Sequence, residues 1–405
     1  MLLIYKIKKY IKKILLDNKY IDYPIFSLIF YLRKKLFYTD LKIFQIKDLS
    51  ECLGKRVEIL NNAEMFQSTG IKTLKKSAET KSIKINELIL YNFKNTLVNI
   101  NSSAIISNEE LVVERNFKFE RYNEGYINFH GFKRALVKMQ STIDVEEAFF
   151  LGGNGCWNWY HFLVEIAPKL LFINKIPCKN ILVSDSVLKY EGMKKVISHF
   201  LNQNYNIIYS NPENNYKVKN LYYINNISYV PYNLMKPSIL FGIENVYMRK
   251  DILIKLRKQL LDKVSNLIDL DYPKKILIKR KKNRIAKNQK QLTDFLKNNG
   301  FKEIIFEDLS LEEQIKHIYN ADYVVGASGA AWANLIFSKP GLKGICFMQD
   351  NFPTFCCFSN IAKLFDVNLI YSLYSTKYSP NEHDKDGYIL DIQAIKNIYL
   401  KLEYE

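Results

Sequence analysis

The chain has 405 residues, 48% of them hydrophobic and 25% charged; that is the balance of a folding chain, and the length exceeds one ordinary core, so two main domains are expected. Its formal net charge of +18 suits a nucleic acid, an acidic lipid or a phosphorylated ligand, but Lys, Ile and Asn are spread along the whole chain, so local basic clusters carry more weight than the total. The six cysteines form no CxxC pair and no Cys/His set with zinc spacing, which excludes a zinc module and points to free thiols in a reducing cytosol.

Residues 1–50 read as a basic helical lead-in. In MLLIYKIKKYIKKILL, Ile4, Ile7, Ile11, Ile14 and Leu15 fall on one helical face, and Lys6, Lys8, Lys9, Lys12 and Lys13 fall mostly on the other. Such a segment suits either an anionic membrane surface, through residues 1–38, or packing on its own domain with lysines in water. Lysines interrupt the apolar residues too often for a signal peptide, and no stretch reaches the roughly 18–20 apolar residues of a membrane span.

From about 85 to 150 the pattern changes to short strand-like runs, ELILYNF, LVVERNF and EEAFFLGG. NILVSD, NIIYS and NLYYI then read as buried strands, with VLKYEGMKKVISHFL as a helix after the first. A long helix is expected over about 243–266, followed by the strand KILIK, the helix NQKQLTDFLKNNG and the strand EIIFED. Ser310 and Glu313 form a capping box for the helix SLEEQIKHIYNA. DYVVGASGAAWANLIF reads as strand, tight turn and helix; GICFM, TFCCFSNIAKLF and NLIYS as strand, helix and strand; ILDIQAIKNIYLKL as a final amphipathic helix. Strand–helix alternation in two successive units predicts parallel sheets, whose ligands bind where loops leave the C-terminal strand ends.

Three stretches at such ends carry candidate chemistry. In VVGASGAAWANLIF, Gly326 allows a sharp turn, and Ser328, Gly329, Ala330 and Ala331 open a helix with almost no side-chain bulk; Asn334 lies about one turn further in. Backbone N–H groups at such a helix start can hold a phosphate, although an ordinary strand-to-helix turn uses the same residues. In KILIKRKKNRIAKN a buried strand delivers Lys279, Arg280, Lys281, Lys282, Arg284 and Lys287. Arg280 and Arg284 are the better diphosphate ligands because guanidinium binds phosphate in a fork, while Lys281 and Lys282 fit a solvated loop. In CWNWYHFLVEIAPKLLF, Asn158, His161, Glu165 and Lys169 recur at three- and four-residue steps as a narrow polar stripe on an apolar helix. That stripe is either the wet side of a half-buried helix or a cleft wall carrying a carboxylate–imidazole pair fit for general base work. The two Asp-x-Asp matches, Asp269–Asp271 and Asp384–Asp386, precede a strand and lie in a polar loop, so no metal site is expected.

Together these stretches resemble glycosyltransferase family 61, the DUF563-type transferases that include bacterial capsular polysaccharide enzymes. The family's Asn-x-Tyr-His-x-x-x-Glu-x-x-Pro block is similar to Asn158, Tyr160, His161, Glu165 and Pro168. Its donor block resembles Arg280, Arg284 and Asn288; its Glu-Gln pair resembles Glu313 and Gln314; its Gly-x-His-Gly-Ala-x-x-x-Asn block resembles Gly326 to Asn334, with Ser328 where many members have His. Gln289 replaces a usual acidic residue. The likeness spans about residues 145–375.

The resemblance implies an α/β GT-B-like fold, two Rossmann-like lobes with a cleft between them. Residues 51–242 would form the acceptor-side domain, 243–375 the donor domain and 376–405 a C-terminal helix, after the lead-in 1–50. It implies inverting transfer from a nucleotide sugar to a glycan or lipid-linked glycan acceptor in surface or capsular polysaccharide biosynthesis, with no required metal or cofactor. His161 and Glu165 would be catalytic; Arg280, Arg284, Asn288, Gly326, Ser328, Gly329, Ala330 and Asn334 would bind the donor. The location expected is cytoplasmic, peripheral on the inner face of the membrane, with no nucleic acid partner. The rival readings are a non-catalytic basic protein on membrane or nucleic acid, and a transferase-like fold that has lost activity.

Overall fold

The computed structural model describes residues 31, 41–115, 126–131, 134–231, 241–281, 285–375 and 388–404. In it the two stretches of strand–helix alternation become two separate sheets in a mixed α/β chain. Of the basic helical lead-in expected over residues 1–50, residues 1–30 and 32–40 lie outside the described residues, and Leu41–Asp48 is not helix but a strand of the first sheet, held extended by pairing with Glu110–Val113 and Arg134–Lys138. No described helix is long and apolar enough to cross a membrane.

The first sheet has eleven strands and is mixed. Ser141–Leu151 pairs in parallel with both Asn180–Ser184 and Asn214–Ile224, and Asn180–Ser184 pairs in parallel with Asn206–Ser210. Beyond Asn214–Ile224 the partner is Leu88–Val98, which runs antiparallel. This departs from a Rossmann-like unit, and connection length is the reason. Parallel strands need a long crossover, and residues 152–179 and 185–205 supply two. Ile105–Ser107 and Glu110–Val113 are joined by two residues only, Asn108 and Glu109, both with positive φ (49° and 63°), the geometry of a tight antiparallel hairpin.

Asn95 takes φ 52° in the middle of Leu88–Val98, where the pairing with Asn214–Ile224 steps from Thr96–Val218 to Lys94–Asn220. The sheet's far flank returns over the ends of the parallel strands: Gly153 donates its N–H to the Ile100 carbonyl at 2.9 Å, and Asn226 donates its N–H to the Glu114 carboxylate at 2.9 Å. Glu114 thereby arrives beside residues more than a hundred positions away.

The second sheet has five strands, all parallel, in the spatial order Lys302–Ile304, Lys275–Ile278, Tyr323–Ala327, Lys343–Gln349, Asn368–Tyr374. Its central strands are apolar on both faces, as a parallel sheet covered by helices requires; Ile276, Leu277, Val324, Val325, Ile345 and Cys346 are all buried. In chain order the strands run 2-1-3-4-5. The path reverses between Lys275–Ile278 and Tyr323–Ala327, which is where doubly wound sheets open a crevice at their C-terminal edge.

One apolar core joins the two sheets. It runs from Phe149, Leu151 and Ile181 through Leu163, Val164 and Ile166, across Leu253 and Leu256, to Trp332 and Leu335. The helix expected over about 243–266 is shorter, Lys250–Leu261. Tyr247 and Met248 pair as strand with Ser228 and Tyr229, and the wholly buried Arg249 spends its guanidinium on the carbonyls of Asn62 and Asn86, so tertiary pairing holds the chain extended there. The capping box at Ser310 and Glu313 forms as expected, and the final helix, Ile392–Tyr404, packs Ile395, Ile398 and Leu402 against the second sheet.

Candidate active site

Arg280 and the Gly326–Ala331 turn meet at the reversal point of the second sheet. Lys275–Ile278 carries the chain straight to Arg280, and its neighbour Tyr323–Ala327 carries it to Ser328 and Gly329. The contact is intimate: a Cβ added at Gly329 would stand 2.2 Å from Nη1 of Arg280. Glycine is needed here because the guanidinium lies on its Cα, not because its backbone is unusual. The Nε of Arg280 is buried and makes no hydrogen bond among the described residues, so the group has donor capacity left. The neighbouring lysines are each engaged with a carboxylate: Lys279 pairs with Glu303 at 3.3 Å and Lys281 pairs with Asp308. Arg284 lies outside the described residues.

Ser328 is 3% exposed and gives its N–H to the Phe347 carbonyl at 2.8 Å. The following helix, Ala330–Phe337, is of the tight 3-10 type, starts after Gly329 and leaves Gly329, Ala330 and Ala331 half-buried at the mouth. The first N–H groups of a helix lack partners within it, and three small residues leave them reachable.

Other expected donor residues have different engagements. Gly326 sits inside its strand, where a Cβ would come 2.9 Å from that of Ile278; its role is close strand packing. Asn288 closes a two-way bond with Leu390, donating to the carbonyl at 2.8 Å and accepting from the N–H at 3.0 Å. Asn334 is wholly buried, accepts from Trp159 Nε1 at 2.9 Å and donates to Gln314 Oε1 at 3.1 Å, while Gln314 donates to the Leu309 carbonyl at 3.1 Å. This relay ties the stretch around His161 to the helix that follows Gly329, so the two motifs are brought together through adjacent elements.

The stretch itself takes three helix types in turn: an α turn over Trp159–His161, a π segment over Phe162–Ile166 and a 3-10 run over Ala167–Lys175. Asn158 is the N-cap, its side chain accepting the Tyr160 N–H at 2.9 Å. A π turn inside a helix is uncommon and tends to mark a functional position. His161 Nδ1 pairs with Glu165 Oε2, and Glu165 Oε1 accepts the Val230 N–H at 2.8 Å. Their side chains are 16% and 10% exposed, so beyond the exposed Asn158 cap the stripe is not the wet side of a helix. An imidazole held through Nδ1 by a fixed carboxylate has Nε2 as its proton-accepting atom. Neighbouring Tyr160 is buried, its hydroxyl bonded to the Cys357 carbonyl at 3.3 Å, and burial holds its pKa well above the usual phenol value.

Lys169 ends the stripe at 1% exposure, its Nζ 5.2 Å from the centre of the Tyr223 ring. Burial lowers its pKa to about 8, against the opposing pull of Glu114 and Glu165. Burial likewise raises the Glu114 carboxyl, in spite of its bonds to Asn226 and Tyr247. Glu114 escaped the sequence reading because nothing local marks it; the Lys169 spacing was visible, but not its burial. All six cysteines are free and buried, and desolvation pushes the Cys156, Cys178 and Cys356 thiols up to about 12, which suits packing rather than nucleophilic chemistry. Among the described residues no group of three or more His, Cys, Asp or Glu is placed to hold a metal ion.

Residues 159–346 match the family model Glycosyltransferase 61. The chain carries a glycosyltransferase 61 domain. The match begins one residue after the Asn158 cap and takes in His161, Glu165, Arg280, the Gly329 turn and Asn334. The chain is therefore a glycosyltransferase, acting on a sugar donor and an acceptor. No curated protein matches the chain. Within the glycosyltransferase 61 domain the two structural centres are the Arg280–Gly329 contact and the His161–Glu165 pair, joined by the Trp159–Asn334–Gln314 relay.

Proposed function

We propose that the protein is an inverting, metal-independent glycosyltransferase that moves a sugar from a nucleotide sugar to a glycan or lipid-linked glycan acceptor in surface or capsular polysaccharide assembly. The observation that carries this reading is the Arg280 guanidinium lying on Gly329 at the reversal point of a parallel sheet, with its Nε buried and unbonded among the described residues. A diphosphate there would receive guanidinium hydrogen bonds and the N–H groups of Gly329, Ala330 and Ala331 as negative charge grows on it, which is stabilisation of a leaving group by fixed donors. Arg284 would add a second guanidinium. Asn288 and Asn334 would hold the surrounding elements rather than touch the donor.

On the other side of the reaction, His161 would take the acceptor hydroxyl proton at Nε2, with Glu165 holding the ring and stabilising the imidazolium that forms. A nucleophile arriving opposite a leaving diphosphate inverts the sugar carbon. In this reading the two sheets are the two lobes of a GT-B-like arrangement, with residues 243–375 on the donor side. The enzyme would work in the cytoplasm, with residues 1–38 resting on the anionic inner face of the membrane.

The test is calorimetric titration of a panel of nucleotide sugars into the wild type and Arg280→Ala, with product analysis by NMR. We expect one nucleotide sugar to bind, Arg280→Ala to weaken it by about tenfold or more, the product to have the inverted anomeric configuration, and turnover to survive EDTA. No binding by any nucleotide sugar, or equal binding by Arg280→Ala, would overturn the donor assignment; a retained configuration or EDTA-sensitive turnover would overturn the mechanism.

A further inference from the structure

The imidazole of His161 is gripped on two sides. Its Nδ1 side meets the Glu165 carboxylate. Its Cδ2 side lies on the backbone of Gly155: a Cβ added there would stand 2.6 Å from Cδ2 and 2.7 Å from Cγ of the ring. Only a residue without a Cβ allows so close an approach, and Gly155 also takes φ +71°, in the left-handed region. The turn that carries it is fixed to its surroundings. Gly153 gives its N–H to the Ile100 carbonyl at 2.9 Å, Cys156 gives its N–H to the Gly153 carbonyl at 3.2 Å, and the Asn158 cap gives its N–H to the Gly155 carbonyl at 2.7 Å. The Cys156 thiol reaches the Asn101 side-chain oxygen at 3.0 Å. Gly152 is packed as tightly, since a Cβ there would come 2.5 Å from the Ile100 carbonyl oxygen. The turn is therefore the rigid partner of this contact, and the ring the movable one.

We propose that Gly155 is a positioning residue for His161: its bare Cα is the floor against which the Glu165 carboxylate holds the imidazole. Rotation about the last torsion of a histidine is broad and roughly two-fold, so a single hydrogen bond at Nδ1 leaves the ring plane loosely defined. The second contact removes that freedom and fixes the direction of Nε2, which neither contact takes. The proposal rests on the reading of His161 as the base.

Two substitutions separate this role from backbone strain. Alanine at Gly155 adds both a collision with the ring and the cost of φ +71°, whereas asparagine adds the same Cβ and tolerates that φ better. The experiment measures kcat, the affinity for the nucleotide sugar that binds in the titration panel, and the melting temperature, in wild type, Gly155→Ala and Gly155→Asn. It repeats Gly155→Ala in the His161→Ala background. Both single variants should lower kcat by about tenfold or more with nucleotide-sugar affinity unchanged, although Gly155→Asn should melt closer to wild type than Gly155→Ala. In the His161→Ala background, Gly155→Ala should lower kcat by less than about twofold, because the ring it displaces is gone, while its melting shift remains. A kcat that recovers in Gly155→Asn along with the melting temperature, or an undiminished further loss in the His161→Ala background, would overturn the proposal. NMR of the ring needs no turnover: wild type should show a nuclear Overhauser contact between Gly155 Hα and His161 Hδ2, and its absence overturns the proposal even where neither variant folds. A fully active His161→Ala would remove the base reading and leave that ring contact standing. An unchanged kcat in Gly155→Asn beside an inactive His161→Ala would remove only the role of Gly155.

Discussion

Gly329 shows how one missing atom organises the donor side. A Cβ there would collide with the Nη1 end of Arg280, and that end of a long side chain can swing away at little cost to packing. Gly329→Ala should therefore leave the melting temperature close to wild type and raise the KM for the donor by about tenfold, since the guanidinium loses its place. Equal KM values would show that the contact is incidental. His161→Ala should lower kcat by about a hundredfold or more while the protein keeps its cooperative unfolding transition, because the imidazole is partly exposed and its loss opens no deep cavity. The residue types at both centres were legible in the sequence. Their exposure was not: the Asn158–Lys169 stripe read as well as a wet helix face, and only the burial of Glu165 and Lys169 separates the two readings.

At the scale of the element, short-range signals survived and helix type did not. The Ser310–Glu313 capping box forms because both of its bonds close within four residues. The helix after Asn158 takes α, π and 3-10 turns in succession, and residue propensities do not distinguish those types. The elements are locked by the Trp159–Asn334–Gln314 relay. Asn334→Leu should leave the half-buried Trp159 N–H and the Gln314 carbonyl unpaired and cost about 1–3 kcal/mol in urea unfolding. Trp159→Phe removes only the donor and should cost less. A cost from Asn334→Leu no larger than that from Trp159→Phe would argue that the relay is not a shared support.

Across the whole molecule, charge buried far from its sequence neighbours sets the response to pH. The folded Lys169 has a pKa of about 8, below the ordinary 10.5. Between those values the unfolded chain keeps a proton that the folded chain has released, so this group's contribution to stability rises with pH across that window. The stability of wild type relative to Lys169→Met should accordingly grow from pH 8 to pH 10.5 in denaturant titrations; a flat difference would mean that Lys169 is not depressed by burial. The proposed membrane attachment is tested at the same scale. On the proposed reading, deleting residues 1–38 should abolish salt-sensitive sedimentation with anionic vesicles and spare transfer to a soluble acceptor.

What the sequence determined by itself is everything encoded within a turn or a strand: apolar runs that become buried strands, a cap, small residues after a strand, an arginine at a strand end, a histidine four residues before a glutamate. Those patterns are enough to specify an α/β chain and to resemble a transferase. The tertiary structure alone decided that the first sheet is mixed, that Asn288 bonds to Leu390 and Asn334 to Trp159 and Gln314, that Arg280 lies on Gly329, and that Glu114 reaches Asn226 and Tyr247. These depend on contacts between residues from 20 to nearly two hundred positions apart, whose energy is gained only once the chain has closed the loops between them, so no local pattern records them.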